Sequence, residues 1–324
     1  MPADPAEPPM RWSRRQIIAA GAALAGCSRE PAAAAPEEPK MPAAPFRRTP
    51  LLSRAIPNTD EQLPVVGLGT WQAFDIAPGG PEWDQAREAL RVFSAAGGRV
   101  VDSSPMYGRA EAAVGALSAE LGLRSGLFLA TKVWTRGREA GLRQMEDSRR
   151  LLQAETIDLM QVHNLLDLET HLATLRDWKA AGRIRYLGVT HYHEGAYDAL
   201  EAAMTRHRLD FIQINASVAE RESEARILPL AQERGMGVIV NRPFAGGDLF
   251  ARVRRLPLPG WAAEIGAPSW AQVMLKYVLS NPAVTCAIPG TRNPRHVLDN
   301  LGAATEPLPD EAQRRRIVEA VSAA

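Results

Sequence analysis

Val100-Val101-Asp102-Ser103-Ser104-Pro105-Met106-Tyr107-Gly108 is the stretch on which the fold assignment turns. Arg99, Val100 and Val101 follow a Gly97-Gly98 helix stop and read as a short buried strand. Asp102 then stands at the strand's carboxyl end, with Tyr107 in the loop beyond it. A carboxylate and a phenol five residues apart, linked through the stiff Pro105, can converge on one cleft. Two later strands end in the same manner. Residues 128–132 end in the ammonium of Lys132, and residues 157–163 end in the imidazole of His163. In a parallel α/β barrel every strand's carboxyl end lies on one face, so Asp102, Tyr107, Lys132 and His163 gather there.

Working outward, short apolar runs alternate with amphipathic segments. Strands are predicted at 65–69, 99–103, 128–132, 157–163, 186–190, 211–214, 238–241 and 285–288. Helices are predicted at 82–96, 111–121, 137–152, 169–181, 195–206, 223–234, 268–279 and 294–301. A short helical tail follows at 310–321. Eight strands alternating with eight helices predict an α/β fold, a (β/α)8 TIM barrel. Segments 52–59 and 62–66, around Asn58-Thr59-Asp60, predict an N-terminal β-hairpin. A doubly wound open sheet would want a glycine-rich phosphate loop after an early strand. Gly67-Leu68-Gly69 instead leads to Thr70-Trp71-Gln72, with no third glycine and no helix.

The four gathered residues suit carbonyl reduction, which needs a hydride at carbon and a proton at oxygen. A free phenol, with a pKa near ~10, is a poor donor at neutral pH. The Lys132 ammonium is expected to lower that pKa, and Asp102 to hold the ammonium in place. His163 would hydrogen-bond the substrate oxygen. Taken singly, each of these side chains is commoner as a cap, a packing residue or a solvated charge. Their convergence at three successive strand ends carries the catalytic reading. A glycoside-cleaving or dehydratase barrel would need paired carboxylates, and Asp102 has a cation for a neighbour. Hydride has to come from a cofactor, because no side chain supplies it.

Asp102 with Tyr107-Gly108, Thr131-Lys132 and His163-Asn164 together resemble the catalytic tetrad motifs of the aldo-keto reductases. Leu63-Pro64-Val65-Val66-Gly67-Leu68-Gly69-Thr70-Trp71 upstream and Ile288-Pro289-Gly290-Thr291-Arg292 downstream support the resemblance, which covers residues 56–300. The resemblance implies an NADP-dependent oxidoreductase, NAD being possible, that reduces aldehydes or ketones with Tyr107 as proton donor. It also implies that the hairpin plugs the barrel floor. Thr190, His191 and Gln213 match positions that hold the nicotinamide carboxamide, with His191 in place of a commoner Asn. Asn241 stands where many members stack a Tyr on the nicotinamide, and Arg242 offers a cation beside it. Gly290 replaces a phosphate-binding Lys, so Thr291 and Arg292 are the expected contacts for the 2′-phosphate, with His296 and Asn300 toward the adenine. Trp71, Phe74 and Trp134 are the expected substrate wall. The alternative function is a cofactor-binding, redox-sensing accessory protein with little turnover.

The chain's 324 residues suffice for one barrel of about 250 residues plus an extension. A net charge of +1 points to no nucleic-acid partner. Its two cysteines, Cys27 and Cys286, form no disulfide framework and no metal spacing, so no metal is expected and Cys286 reads as a core residue. A monomer is expected. Residues 1–27 read as an export signal: Arg11, Arg14 and Arg15 precede a short apolar run from Ile17 to Ala25. Ser13-Arg14-Arg15-Gln16-Ile17-Ile18 resembles a twin-arginine signal, and Leu24-Ala25-Gly26-Cys27 a lipobox in which Cys27 is acylated. Residues 28–50 form an Ala/Pro-rich tether and 51–324 the barrel. The expected partners are therefore a small carbonyl substrate and the twin-arginine export machinery. Membrane contact is expected only through the N-terminal anchor. The expected location is the periplasm, as a free or membrane-anchored lipoprotein, with the cytoplasm as the alternative. Changing Arg14-Arg15 to Lys-Lys should strand precursor in the cytoplasm, and Cys27→Ser should abolish lipid labelling; cytosolic wild-type protein that keeps residues 1–26 would refute export.

Overall fold

The computed structural model describes residues 50–323. The segment expected to be an export signal, with Cys27, and all of the expected tether but Pro50 lie outside the described residues. The chain divides into residues 1–46 and 47–324, and the second unit is the one described.

It opens with an antiparallel pair, β1 (Ser53–Ala55) and β2 (Gln62–Pro64), in the register Arg54 opposite Leu63. The barrel follows: β3 (Leu68–Gly69), α1 (Pro81–Ala95), β4 (Val100–Asp102), α2 (Ala110–Glu120), β5 (Phe128–Val133), α3 (Arg138–Leu151), β6 (Ile157–His163) and α4 (Leu168–Ala180). Its second half runs β7 (Ile184–Thr190), α5 (Tyr197–Arg206), β8 (Phe211–Asn215), α6 (Ile227–Glu233), β9 (Gly237–Asn241), α7 (Asp248–Val253), α8 (Trp270–Leu279), β10 (Cys286–Ala287) and α9 (Pro294–Gly302), with α10 (Glu311–Ser322) as the tail. Strands β3 to β10 pair in parallel and in sequence order. Parallel bridges Val66–Ala287 and Gly69–Gly290 join the first strand to the last and close the ring. Glycine is needed at this seam: a Cβ on Gly69 would lie 2.7 Å from the Ile288 carbonyl oxygen.

Strand alternation divides the side chains between two clusters. Val101, Leu129, Met160, Val162, Val189, Ile212 and Val240 face outward and pack with the helices. Val100, Phe128, Ala130, Leu159, Phe211 and Ile239 form the barrel interior, and Ile56 and Leu63 of the hairpin belong to that same cluster. The hairpin is thus a plug under the floor. Above the apolar floor the inward positions turn polar, two residues further along each strand: Asp102, Lys132, Gln161 and His163, Thr190, Gln213 and Asn241.

Three boundaries differ from the sequence reading. The first strand shrinks to two residues, because Val65 and Gly67 bond across the seam to Ala287 instead of extending a ladder with β4. Predicted helix 223–234 begins only at Ile227, after a 3-10 turn at Glu222–Glu224. Pro229 explains this, since a proline fits a first turn and breaks an interior. Between β9 and α8, where no element was predicted, lie two 3-10 turns and α7; Gly246 and Gly247, both at positive φ, interrupt any longer helical period.

Candidate active site

Asp102 ends β4 and Lys132 is the last inward-facing residue of the neighbouring β5, so their side chains meet inside the barrel. Lys132 Nζ donates to Asp102 Oδ2 at 2.7 Å and to the Ser103 carbonyl at 2.6 Å. The two side chains are 1% and 3% exposed, so water screens the pair very little. Burial works against the Lys132 ammonium, but the Asp102 carboxylate and Tyr107 phenol outweigh it and hold its pKa above the ordinary range. Burial likewise pushes the Asp102 carboxyl up, by more than Lys132 draws it down.

Tyr107 sits over this pair, with Lys132 Nζ 5.1 Å from its ring centroid. Burial raises the phenol's pKa, and the Lys132 charge pulls the other way without prevailing. The expectation of a net lowering is therefore corrected: desolvation disfavours phenolate more than one ammonium favours it. The phenol keeps its proton at neutral pH, and the ammonium beneath it only partly offsets the effect of burial. His163 meets the Tyr107 ring edge-on, centroids 6.1 Å apart, and Trp134 lies 6.3 Å from His163. Burial first, then the charge of Lys132, depresses the His163 pKa to about 2, so the ring is neutral.

The loops that bear these residues are braced. Asp75 Oδ1 accepts from the Arg109 N–H and Nε, tying the loop after β3 to the loop of Tyr107. Gln144 clasps the Trp134 backbone at both its N–H and its carbonyl. Of eight non-glycine residues with positive φ among the described residues, six lie in the loops at this face: Gln72, Asn164, Leu165, Asp167, Arg242 and Ala245. Strain of roughly 1–3 kcal/mol per residue, gathered here, marks a functional face.

The model of the aldo/keto reductase family matches residues 65–320. The chain belongs to the aldo/keto reductase family. It is 30% identical over 248 residues to the methylglyoxal reductase YeaE of Escherichia coli, covering 74% of this chain and 85% of YeaE. It is 28% identical over 214 residues to the aldo-keto reductase YhdN of Bacillus subtilis, covering 61% of this chain and 64% of YhdN. A solved aldo-keto reductase from Klebsiella pneumoniae in complex with NADPH superposes with a TM-score of 0.67 at 26% identity, covering 83% of this chain and 96% of that one.

Around this reductase cleft, several buried polar atoms have no protein partner: Asp102 Oδ1, Gln161 Oε1, Asn164 Oδ1, Asn241 Oδ1, Glu220 Oε2 and Arg242 Nε. Buried polar atoms are normally paired, so such a cluster suits a polar ligand. Asn241 donates its amide to the His191 carbonyl, and Gln213 accepts from Gln161 at 3.1 Å. His191 Nδ1 accepts the Tyr192 N–H, which leaves Nε2 as the ring's donor, and burial lowers its pKa to about 4. Thr190 is buried beside them. Arg242 lies 3.5 Å from Glu220.

At the last turn, Thr291 Oγ1 accepts the Asn293 N–H and Asn293 Oδ1 accepts the Arg295 N–H, which is the geometry of a capped helix start. Arg292 leans toward α1, where Gln85 accepts from its Nε at 3.2 Å and Glu82 pairs with its Nη2. Gly290, Thr291 and Arg292 line an open groove of about 310 Å³ with Trp71 and Gln85. His296 is exposed and Asn300 buried. Trp71 and Trp134 are 50% and 40% exposed at the cleft mouth, but Phe74 is fully buried in the helix-side core. Phe74, expected in the substrate wall, therefore presents no surface to the cleft. Ser104, Gln161 and Asn164 stand in the quoted motifs and strands without an expected role of their own, and Glu220 is not among the expected site residues. Gln161 was detectable, as a polar residue on the inward alternation of His163.

The His163 imidazole sets a pH dependence. An unfolded histidine titrates near ~6.5, and this one near about 2. Between those values the unfolded chain binds a proton that the folded chain refuses, so stability falls as pH drops below ~6.5. Urea midpoints should show His163→Gln losing about 2 kcal/mol less than wild type on going from pH ~7.5 to ~5. Equal losses in both proteins would mean that His163 protonates normally.

Proposed function

We propose that the chain is an NADP-dependent reductase of aldehyde or ketone carbonyls, with Tyr107 as proton donor. The observation that carries this is the buried Asp102–Lys132 pair beneath the Tyr107 ring, with neutral His163 at the ring's edge. When bound, NADPH supplies the hydride. Residues of this chain do the rest. Trp71 and Trp134 receive the substrate's apolar part and shed water there. His163 hydrogen-bonds the carbonyl oxygen, and Tyr107 delivers its proton to that oxygen. Lys132 stabilises the phenolate left behind, and Asp102 keeps Lys132 charged and in place.

A nicotinamide carboxamide both donates and accepts hydrogen bonds. The unpaired oxygens of Asn164 and Asn241 and the free Nε2 donor of His191 fit those needs. Thr190 and Gln213 complete that set. Arg242, loosely paired and with an unpaired Nε, suits the phosphates common to NADPH and NADH. Thr291 and Arg292 suit the 2′-phosphate, with His296 and Asn300 toward the adenine. Because Glu82 already engages Arg292, a 2′-phosphate has to compete with a carboxylate.

Two measurements test this reading. Tyr107→Phe should keep cofactor affinity and lose about 10²–10⁴-fold in turnover of a panel of aldehydes; near-normal turnover removes the tetrad assignment, and absence of turnover in wild type favours the sensing role. By fluorescence titration, Arg292→Ala should weaken NADPH alone, and Arg242→Ala should weaken NADPH and NADH together. Equal loss of both cofactors from Arg292→Ala would move the 2′-phosphate site.

A further inference from the structure

Ser104 lies two residues beyond Asp102 and is fully buried. Its carbonyl accepts the Tyr107 N–H at 3.0 Å, and its hydroxyl oxygen accepts the Met106 N–H at 3.3 Å. The same hydroxyl lies 3.2 Å from His163 Nδ1. Ser104 thus ties the Tyr107 loop to the imidazole across 59 residues of sequence.

The direction of that last bond decides the chemistry. A hydroxyl has one proton to give. The Met106 N–H is a donor and cannot take it. The only acceptor within reach of Ser104 Oγ, among the described residues, is His163 Nδ1. Were Nδ1 protonated, the serine proton would be buried without a partner, which proteins avoid. Ser104 therefore donates, and Nδ1 carries the lone pair. In a neutral imidazole the other nitrogen then bears the hydrogen. Nε2 has no protein partner among the described residues, so its N–H is free for the cleft.

We infer that Ser104 is a positioning residue that holds His163 in the Nε2–H tautomer, so that the ring donates to a carbonyl oxygen. In the other tautomer the ring would turn a lone pair toward that oxygen and repel it. The inference rests on the carbonyl-reductase reading for its consequence, but the tautomer itself is a property of the folded chain. It also explains how the ring serves as a hydrogen-bond donor without becoming an imidazolium beside Lys132, a state that the ammonium opposes.

The test is nitrogen-15 NMR of histidine-labelled protein, with the His163 signals assigned by their loss in His163→Gln. Wild type should show a protonated Nε2 and a bare Nδ1, with no substrate needed. Ser104→Ala should give a mixture of tautomers. It should also lower kcat about 3–10-fold, the worth of one buried hydrogen bond, with unchanged NADPH affinity. Ser104→Thr, which keeps the hydroxyl, should restore the wild-type tautomer. A wild-type ring protonated on Nδ1 overturns the inference, as does an unchanged tautomer in Ser104→Ala, whatever happens to turnover. Failure of the reductase reading shows separately, as a wild type without turnover or a fully active Tyr107→Phe.

Discussion

A lysine ammonium with almost no contact with water needs partners that offset its lost hydration. The effective cost of burying each ion is several kcal/mol, and stranding one partner of such a pair costs about 3–5 kcal/mol. Lys132 meets this with Asp102 and the Ser103 carbonyl, both supplied by β4 and its exit, next to its own strand. Its ammonium also lies 5.1 Å from the centroid of the Tyr107 ring. The register of β4 against β5, the course of the Tyr107 loop and the closure of the barrel all have to agree for that arrangement to exist. The pair is a constraint on the fold as much as a tool of the site.

The barrel interior explains why the chemistry sits at one end. Phe128 and Phe211 fill the floor, and Ile56 and Leu63 of the hairpin seal it. Lys132 comes four residues beyond Phe128, after the inward Ala130, and Gln213 two residues beyond Phe211. Polar groups there are dry from below and open only from above, where the cleft mouth carries the half-exposed Trp71 and Trp134. Strained backbone collects at the same end. The braces from Asp75 and Gln144 offset part of that cost by fixing the loops to the barrel wall.

Electrostatics in this cleft follow burial first and pairing second. Desolvation raises the phenol of Tyr107 despite the cation beneath it, and removes the charge from His163 and His191. A phenol that keeps its proton, and a histidine that stays neutral, are both consequences of depth. Proximity rules drawn from residue types alone favour the cation's influence and miss the larger opposing effect.

The sequence by itself determined the order of the barrel strands and of every main helix but α7, the barrel and the four residues at its top. Each of these is written in a short local pattern: an apolar run, a period of two or of 3.6, and a polar residue where the run stops. Asp102, Lys132 and His163 were legible because a strand end has one direction in a parallel barrel. Contacts between distant segments were not legible. Arg292 belongs to Glu82 and Gln85, some 200 positions earlier, because α9 packs on α1. Phe74 turns into the core, and Ser104 reaches His163, for the same reason. Which way a side chain points, what it touches and how dry it becomes depend on three-dimensional packing, and only the tertiary structure decided them.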